Sequence, residues 1–467
     1  MPSSDCSLIF DPLYGPKNLN FGPIYGTMVK GVDRKELFKI ILMESFEREL
    51  PYGVEREYNI PLNLNHKAVS IVGPRRSGKT FLIFQLINKI SNDVPRDRIL
   101  YVNLEDDRIL PLRENDLSLM LDAYYELFPE NANEELYLFL DEVQNAPGWE
   151  AFVRRSLDRG LRVFVTGSSS KLLSREIATS LRGRSITFEI QPFSFREFLR
   201  AKGIVEDRAV YTSERFKIKA LFHEYLKWGG FPEVVLMDDE FLKLRTLQEY
   251  FEVMFYKDIV ERYNVKKFHV LRHLLKFLAS NVSRYFSASS YYKFAKQELN
   301  VRKEDILHFT SYIEDAKMFF FLPIFSYSLK AQLRNPRKVY CVDTGLRNAN
   351  TFLVSEDYGY LAENIVFLEL RSRLLRNPSL ELYYWREPRT QIEVDFVVKN
   401  GSNIQELIQV SWDIEESMDR GVRGMVRALD AFSMKEGVIL TRDYEDIKKM
   451  DGKKIIFKPI WKWLLGQ

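Results

Sequence analysis

The chain has 467 residues, of which 46% are hydrophobic and 28% are charged, and its formal net charge is only +3. This length is too great for one ordinary core and suggests about three domains, while the composition argues against wholesale disorder. Because the net charge is so small, the field of the whole protein does not by itself indicate a nucleic-acid-binding protein.

Cysteine usage and hydropathy give an expectation for the compartment. The two cysteines, Cys6 and Cys341, are too few for a disulfide framework and lack metal-ligand spacing. The first residues lack the basic-then-apolar layout of a signal peptide. The most apolar run, residues 318–325, is too short to span a bilayer. We therefore expect a cytoplasmic protein with no membrane association.

Short apolar runs alternate with helical stretches between about residues 65 and 200. The runs are AVSIVG, ILYVNL, LYLFLDE, RVFVTGS and ITFEI. Strands that are continuously apolar, with helices between them, predict a parallel sheet covered on both faces. Beyond it, the pattern is helical to about residue 262, then short helices with two strands to 348, then helix, strand, strand, helix, strand. The predicted fold class is therefore multidomain α/β.

A phosphate-binding loop follows the first of these strands. Gly73, Gly78, Lys79 and Thr80 have the G-x-x-x-x-G-K-[ST] spacing, between a strand and an amphipathic helix. The backbone of such a loop wraps phosphates, Lys79 would neutralise their charge, and Thr80 would ligate Mg²⁺. The predicted ATP- and Mg²⁺-binding residues here are Gly73, Pro74, Arg75, Arg76, Ser77, Gly78, Lys79 and Thr80.

Two further strand ends supply candidate catalytic groups. The run LYLFLDE ends in Asp141, predicted to hold Mg²⁺, and Glu142, predicted to orient or deprotonate the attacking water. The next strand ends in Thr166 and Ser168, which could sense the γ-phosphate. Arg184 could act as an arginine finger, in cis or in trans, with Arg182 as a competing candidate and a simple surface cation as the alternative for both.

Several stretches together resemble the AAA+-like ATPases of archaea and bacteria. They include GPRRSGKT, LFLDEVQN, VTGSSSKLLS, LRGRSITFEIQPFSFREFL, WGGFPEV, YKDIVERYNV, KVYCVDTGL, LAENIVFLEL and YYWREPRTQIEVDFVV. The resemblance covers nearly the whole chain from about residue 30 and implies four parts. These are a P-loop core (1–205), a helical lid (206–263), a winged helix (264–348) and a restriction-endonuclease-like domain of the PD-(D/E)XK superfamily (349–467).

Two shorter motifs resemble elements of the STAND and origin-binding ATPases. VDRKEL resembles their helix before the first strand, which implies that Asp33 and Arg34 border the adenine. GGFP resembles their Gly-x-Pro element, which implies that Pro232 closes the adenine pocket. A plain helix terminator is the alternative interpretation of GGFP.

Residues 264–303 hold nine Lys or Arg and one acid, a local excess of the kind that phosphate backbones attract. Ser287 is predicted to cap the next helix, and Ile306, Leu307, Thr310 and Ile313 to face a core. Non-specific DNA contact is predicted through five basic residues, with a solvated face as the alternative. They are Lys266, Lys267, Arg272, Lys293 and Lys296.

The C-terminal part contains a possible second metal site. Glu393 and Asp395 alternate along a strand and share a face, Gln409 lies on the next strand, and Glu363 lies on a preceding helix. Nucleases of this superfamily also need a lysine, but Ser411 stands at its position, and Lys399 lies too far along its strand. Active cleavage, metal binding without cleavage, and a metal-free docking domain all remain open.

The sequence predicts an ATP-binding and ATP-hydrolysing enzyme that acts on DNA. The alternative is a STAND-like switch in which ATP alters domain packing and protein partners, with the C-terminal domain as a docking module. Neither hypothesis fixes the oligomeric state.

Overall fold

The computed structural model describes residues 33–168, 181–204, 214–351, 357–387, 390, 392–412 and 414–466, without the side chains of residues 168 and 414–420. None of the helices in these ranges combines the length and apolar character that crossing a membrane requires.

The first part of the chain, here the α/β core (33–204), contains a five-stranded parallel sheet with strand order β2-β3-β4-β1-β5. Its strands are β1 (Ala68–Gly73), β2 (Ile99–Asn103), β3 (Tyr137–Asp141), β4 (Arg162–Ser168) and β5 (Ser185–Glu189). Its helices are α1 (Arg34–Glu47), α2 (Lys79–Ile90), α3 (Asp116–Leu127), α4 (Trp149–Asp158) and α5 (Phe195–Ala201). All five predicted strands are confirmed.

Apolar side chains cover both faces of this sheet, because successive strand residues point to opposite sides. Helices α1, α3 and α4 pack on one face, with Phe38 and Tyr124 fully buried. Helix α2 packs on the other face, against Phe139 and Phe164. Asp141 and Gly73 thus end their strands at one edge of the sheet, where ligands of open α/β folds bind.

A helical segment (214–261) follows the core, as predicted. It contains α6 (Arg215–Trp228), α7 (Pro232–Leu236) and α8 (Glu240–Val253), and then a π-helix (Met254–Glu261). A π-helix turn is rare and frequently marks a functional site, because it re-aims side chains relative to an α-helix.

The middle segment (264–348) contains three helices of eight or more residues and a three-stranded antiparallel sheet of order β6-β8-β7. The helices are α9 (Phe268–Ser280), α10 (Ala288–Ala295) and α11 (Lys303–Asp315), and the strands are β6 (Tyr285–Phe286), β7 (Phe319–Leu322) and β8 (Arg337–Cys341). The two strands predicted here are confirmed as β7 and β8, but β7 ends at Leu322 and a short helix, α12 (Leu329–Arg334), precedes β8. The winged helix itself stays a prediction.

Two predictions about helices of the middle segment can be checked. The Ser287 side chain caps α10 by accepting from the Ser290 N–H, as predicted. Ile306, Thr310 and Ile313 are buried on α11, but Leu307 is 51% exposed. Leu307 follows Ile306 directly and so lies about 100° around the helix from it, away from the core face.

The C-terminal segment (357–466) has more strands than predicted. After α13 (Thr344–Ala349), it contains α14 (Tyr358–Arg376), α15 (Ile414–Ala431), α16 (Ile460–Leu464) and a six-stranded mixed sheet of order β13-β14-β12-β11-β10-β9. The strands are β9 (Leu380–Arg386), β10 (Glu393–Asn400), β11 (Asn403–Ser411), β12 (Glu436–Thr441), β13 (Asp446–Met450) and β14 (Lys453–Pro459).

One continuous apolar core joins the helical, middle and C-terminal segments. It runs from Phe193, after β5, to Leu465 near the end of the chain. These parts of the chain therefore pack against one another. Relative displacement of the parts would therefore expose apolar surface and is opposed by the hydrophobic effect.

A carboxylate of the α/β core forms ion pairs with two of the later segments. Glu189, at the end of β5, pairs with Arg371 of α14 and with Lys317, whose Nζ lies 3.0 Å from its oxygen. Burial by itself would raise the pKa of Glu189, but the charges of Arg371 and Lys317 outweigh it and lower that pKa to about 2.

We expect Glu189→Gln to lower the free energy of unfolding by about 3 kcal/mol at pH 7, because its ion pairs hold the pKa of Glu189 at about 2, well below its usual 4.5. The carboxylate contributes stability only when ionised in the folded state. The difference from wild type is therefore complete above pH 5 and shrinks as the pH falls from about 4.5 towards 2.

Urea unfolding at several pH values measures this difference. Glu436→Gln is the control, because Glu436 also pairs with a lysine, Lys454, but on an exposed surface where such pairs contribute little. An equal and pH-independent effect of the two substitutions would contradict the assignment.

Candidate functional site

The predicted phosphate loop connects β1 directly to α2. Gly73 and Gly78 both have positive φ, at +157° and +92°. A Cβ on Gly73 would lie 2.2 Å from the Ile190 carbonyl oxygen, so only glycine fits at that position. The Lys79 side chain is buried and donates to the carbonyl oxygens of Gly73 and Pro74, at 3.2 and 3.1 Å.

Asp141 lies at the centre of a buried hydrogen-bond network at the end of β3. Its carboxylate accepts from the Thr80 hydroxyl at 2.9 Å, from the Tyr101 hydroxyl at 3.1 Å and from the Thr166 hydroxyl. Burial raises the pKa of Asp141, and the bond from Thr166 works against that rise. Thus β1, β3 and β4 together bring Thr80, Asp141 and Thr166 to one point, as the sequence predicts.

Glu142 directly follows this network in an unusual backbone conformation. Its φ is +55°, in the left-handed region that non-glycine residues seldom adopt and that is often found at functional sites. Its N–H donates to the Thr166 hydroxyl at 3.0 Å, and its carboxylate accepts from the Gln144 amide. The carboxylate is only partly buried, so a water molecule can reach it. The side chain of Ser168, the other predicted sensor, lies outside the described residues.

The residues of the loop fit a Mg²⁺-nucleotide by two observations. Thr80 and Asp141 place a hydroxyl and a carboxylate oxygen next to each other, which is the donor set that Mg²⁺ prefers. In addition, the Ser77 hydroxyl is buried in the loop and has no hydrogen-bond partner among the described residues. Burial lowers the pKa of Lys79, so a phosphate anion beside it would stabilise its charged form.

The helical segment reaches over the loop. Arg75 donates from Nε to Asp258 Oδ1 at 2.8 Å, and Asp258 is fully buried in the π-helix. Pro232 starts α7, and its Cγ lies 3.5 Å from where a Cβ on Gly78 would be. Arg76 is more exposed, and one of its guanidinium nitrogens lies 3.8 Å from a carboxylate oxygen of Glu233. The sequence did not single out Asp258, since its only signal was an acid within an apolar helical run.

Arg56 is a further loop contact that sequence analysis missed. Its guanidinium donates to the Ser77 carbonyl oxygen at 2.7 Å, to Glu197 at 3.0 Å and to the Gln191 carbonyl oxygen at 2.6 Å. It is buried and thereby ties the loop to α5. Nothing in the surrounding sequence, GVEREYNI, distinguishes this arginine from a surface residue.

Two residues predicted to act at the nucleotide site, Arg34 and Arg184, contact other groups of the protein. Arg34 binds Asp116 and the Ile109 carbonyl oxygen beside α3, at 2.7 and 2.6 Å. The Arg184 carbonyl oxygen accepts from the Ala68 N–H at the start of β1, about 16 Å along the strand from Gly73. The Arg184 side chain is too short to cover that distance, so this position does not suit a finger acting in cis, and the finger itself stays a prediction.

Arg184 belongs instead to a basic surface. It pairs with Asp158 and lines a cavity of about 310 Å³ together with Arg154, Arg155 and Arg182. Arg184 and Arg182 are both exposed, so either can meet an anion brought by another molecule.

The predicted C-terminal site residues do come together, but around an ammonium group. Lys338, on β8, donates to Glu363 at 3.0 Å and to Asp395 at 2.6 Å. Gln409 donates from Nε2 to the other oxygen of Asp395 at 2.6 Å, and Glu393 accepts from Tyr285. No group of three or more His, Cys, Asp or Glu in the described ranges has a geometry that could hold a metal ion.

Neither of the two positions considered for the lysine of a nuclease site, Lys399 and Ser411, supplies the ammonium group found here. Lys399 pairs with Glu381 at 2.8 Å, and Ser411 is buried at the end of β11. Burial and the neighbouring Asp395 raise the pKa of Glu363. Burial alone would lower the pKa of Lys338, but the charges of the two carboxylates outweigh burial and raise that pKa. Lys338 was missed because its partners are 25 and 57 residues away.

The basic stretch 264–303 is partly neutralised within the fold. Lys267 pairs with Asp305 at 2.9 Å, and Arg272 pairs with Glu252. Lys266 is exposed and contacts Asn264 at 2.8 Å. Lys293 and Lys296 are exposed on and just after α10 and make no ion pair within the described part of the chain.

The turn from Trp228 to Pro232 is a close backbone contact between three segments. Gly229 ends α6, as the helix-terminator interpretation predicts. The Gly230 N–H donates to the buried carboxylate of Asp343 at 2.6 Å. A Cβ on Gly230 would lie 2.3 Å from the Phe193 carbonyl oxygen. A Cβ on Gly345 would lie 2.0 Å from the Trp228 carbonyl oxygen.

Known proteins resemble this chain along almost all of its length. Residues 65–199 match the AAA domain family, and residues 219–357 and 358–463 match two domains of unknown function, DUF8612 and DUF4143. The uncharacterized protein MJ1544 of Methanocaldococcus jannaschii is 36% identical over 449 residues, covering 93% of this chain and 96% of that protein. An uncharacterized protein of Haemophilus influenzae is 29% identical over 395 residues, covering 84% and 93%. The Walker-type ATPase PABY2304 of Pyrococcus abyssi is similar in structure with a TM-score of 0.41 at 14% identity, covering 68% of this chain and 95% of that chain.

The Trp228–Pro232 turn gives a stability prediction. Gly345→Ala should lower the free energy of unfolding by about 3 kcal/mol, because its Cβ would overlap the Trp228 carbonyl oxygen. Gly359→Ala is the control. Gly359 is also the second residue of a helix, but a Cβ there would meet only the Trp412 Cβ, at an ordinary 3.7 Å. Urea unfolding should show Gly359→Ala as neutral or slightly stabilised, and equal effects at the two glycines would refute the crowding.

Proposed function

This chain belongs to the protein family that includes MJ1544 of Methanocaldococcus jannaschii, and on that premise we propose that it binds ATP with Mg²⁺, hydrolyses it and acts on DNA. The observation that carries the nucleotide part is the meeting of the phosphate loop with Asp141, through the 2.9 Å bond from Thr80. The match of residues 65–199 to the AAA domain family agrees with it.

Each residue of the site has a role in this proposal. Residues 73–78 wrap the phosphates with their backbone N–H groups, and Lys79 places its ammonium beside the β- and γ-phosphate oxygens. Thr80 and Asp141 hold Mg²⁺, which supplies positive charge to the phosphates. Glu142 orients the attacking water and accepts its proton, for which its partly buried carboxylate is suited.

Other residues would complete the site. Thr166 and Ser168 sense the γ-phosphate at the end of β4, and Pro232 closes the base pocket beside Gly78. Arg184 acts as an arginine finger at the site of another copy, which its position at the opposite end of the strands from its own phosphate loop supports. This proposal therefore includes an oligomer during hydrolysis.

The DNA part of the proposal rests on the middle segment. Lys293 and Lys296 are both exposed and lie about one helical turn apart, and the aromatic ring of Phe294, next to Lys293 in the chain, is 52% exposed. This combination suits sequence-independent contact with a phosphate backbone. Lys267 and Arg272 contribute less, because their charges are already paired with Asp305 and Glu252.

A second candidate is a nucleotide-gated switch of the STAND type, in which ATP alters the packing of the segments. The contact between Arg75 and Asp258 favours it. A carboxylate from the helical segment there binds a cation of the phosphate loop, and the phosphates of a nucleotide would compete with it for Arg75. Nucleotide binding would then loosen the π-helix that leads into the middle segment, and the C-terminal segment would serve as a docking module.

We expect Lys79→Ala and Glu142→Gln to lower ATP turnover at least about 100-fold, because they remove the phosphate-binding cation and the water-orienting base. Lys89→Ala is the control, since Lys89 lies on the same helix but is exposed at its far end. Phosphate release with purified protein and MgATP measures the turnover. Glu142→Gln should still bind ATP, so unchanged turnover in this variant would remove Glu142 from the proposed mechanism.

We expect DNA to stimulate ATP turnover by the wild-type protein, and the stimulation to fall steeply with added salt. The double substitution of Lys293 and Lys296 by Ala should weaken DNA binding and lower the salt slope by about two. Lys454→Ala, on the C-terminal sheet, is the control for removing a positive charge outside the proposed DNA-binding surface. ATP turnover that is indifferent to DNA would contradict the DNA part and favour the switch.

A further inference from the structure

We propose that the acidic cluster of the C-terminal segment is a binding site for the chain's own Lys338 and not for a divalent metal ion. By occupying it, Lys338 docks the middle segment on the C-terminal sheet. This inference does not depend on how the chain uses ATP or DNA.

The ammonium group of Lys338 occupies the position that a metal ion would take. Its Nζ lies 2.6 Å from Asp395 Oδ1 and 3.0 Å from Glu363 Oε1, so it bonds both carboxylates directly. The side chains of Lys338 and Asp395 are each only 3% exposed, and that of Glu363 is 10% exposed. In a metal-dependent nuclease the lysine instead holds a water nucleophile while the carboxylates bind the metal.

Further donors face the carboxylates of the cluster. Asp395 Oδ2 accepts from the Val410 N–H at 2.9 Å and from Gln409 Nε2 at 2.6 Å. Gln409 thus turns its NH₂ group, and not its carbonyl oxygen, towards the carboxylate. Glu363 Oε1 also accepts from the Tyr340 hydroxyl at 2.7 Å. A metal ion would have to displace several hydrogen bonds before it could bind, so the cluster does not fit the metal of this superfamily.

The donors come from one sheet of the middle segment. Lys338 and Tyr340 alternate along β8, so both point to the same side, and Tyr285 on the neighbouring β6 reaches Glu393. Three side chains of this sheet therefore contact the acidic cluster on α14 and β10. The contact continues along the backbone, where the Tyr384 N–H donates to the Pro323 carbonyl oxygen at 3.1 Å.

The first test measures thermal stability of the full-length protein. Lys338→Met, which keeps the length of the side chain but removes the charge, should lower Tm by about 5 °C or more, because it leaves two buried carboxylates without their cation. Lys399→Met is the control, since Lys399 pairs with a more exposed carboxylate, Glu381, and should change Tm by less than about 2 °C.

A second substitution keeps this test decisive. Adding Asp395→Asn to Lys338→Met removes one of the unpaired charges and should recover part of the lost Tm, or recover folded protein if the single variant does not fold. A Tm of Lys338→Met equal to that of wild type would overturn the proposal. So would a double variant that is no more stable than Lys338→Met.

The third measurement is Mn²⁺ binding, followed by electron paramagnetic resonance of the free ion. All variants carry Asp141→Asn, so that the nucleotide site does not contribute. With Lys338 present, we expect no bound Mn²⁺ that depends on Asp395. Lys338→Ala should open the cluster and gain Mn²⁺ binding that is lost again with Asp395→Asn. Mn²⁺ binding that depends on Asp395 while Lys338 is intact would overturn the proposal.

Discussion

The close approach of backbones at the Trp228–Pro232 turn is the contact on which the relation between the segments depends. Glycine at 229, 230 and 345 lets the end of α6 meet the α/β core at Phe193 and the middle segment at Asp343. Asp343 is buried and accepts from the N–H groups of Gly230 and Leu346, so its carboxylate replaces the water that those groups would otherwise bind. Burial raises the pKa of Asp343 to about 6.

Because this turn is fixed, Pro232 is held beside Gly78, and the helical segment is carried over the phosphate loop. Asp258 then meets Arg75 from the far end of the same segment. At the end of β5, in register with Val72 of β1, Glu189 meets Arg371 and Lys317. Two acids, Asp258 and Glu189, therefore connect the neighbourhood of the loop to later parts of the chain, and Asp258 does so through Arg75 of the loop itself.

The sequence predicts those features that neighbouring residues determine. The five parallel strands and the loop from Gly73 to Thr80 follow from local runs and spacing, and Thr80, Asp141 and Thr166 meet because parallel strands end at one edge. Arg56, Asp258 and Lys338 could not be found in this way. Arg75 and Asp258 are 183 residues apart, and Lys338 and Asp395 are 57 apart, so only the packing of whole segments decides that these charges face each other.

The C-terminal cluster illustrates how the same residues can support two chemistries. Two carboxylates and an amide on adjacent elements are the pattern of a metal site when the space between them is left to solvent. Here β8 inserts Lys338 into that space, and an ammonium with three donors satisfies oxygens that would otherwise need a divalent ion. The C-terminal segment has Ser411 where the nuclease superfamily has its lysine, and the cation at the cluster comes instead from the middle segment. Lys338 therefore both neutralises the cluster and holds the middle segment against the C-terminal sheet.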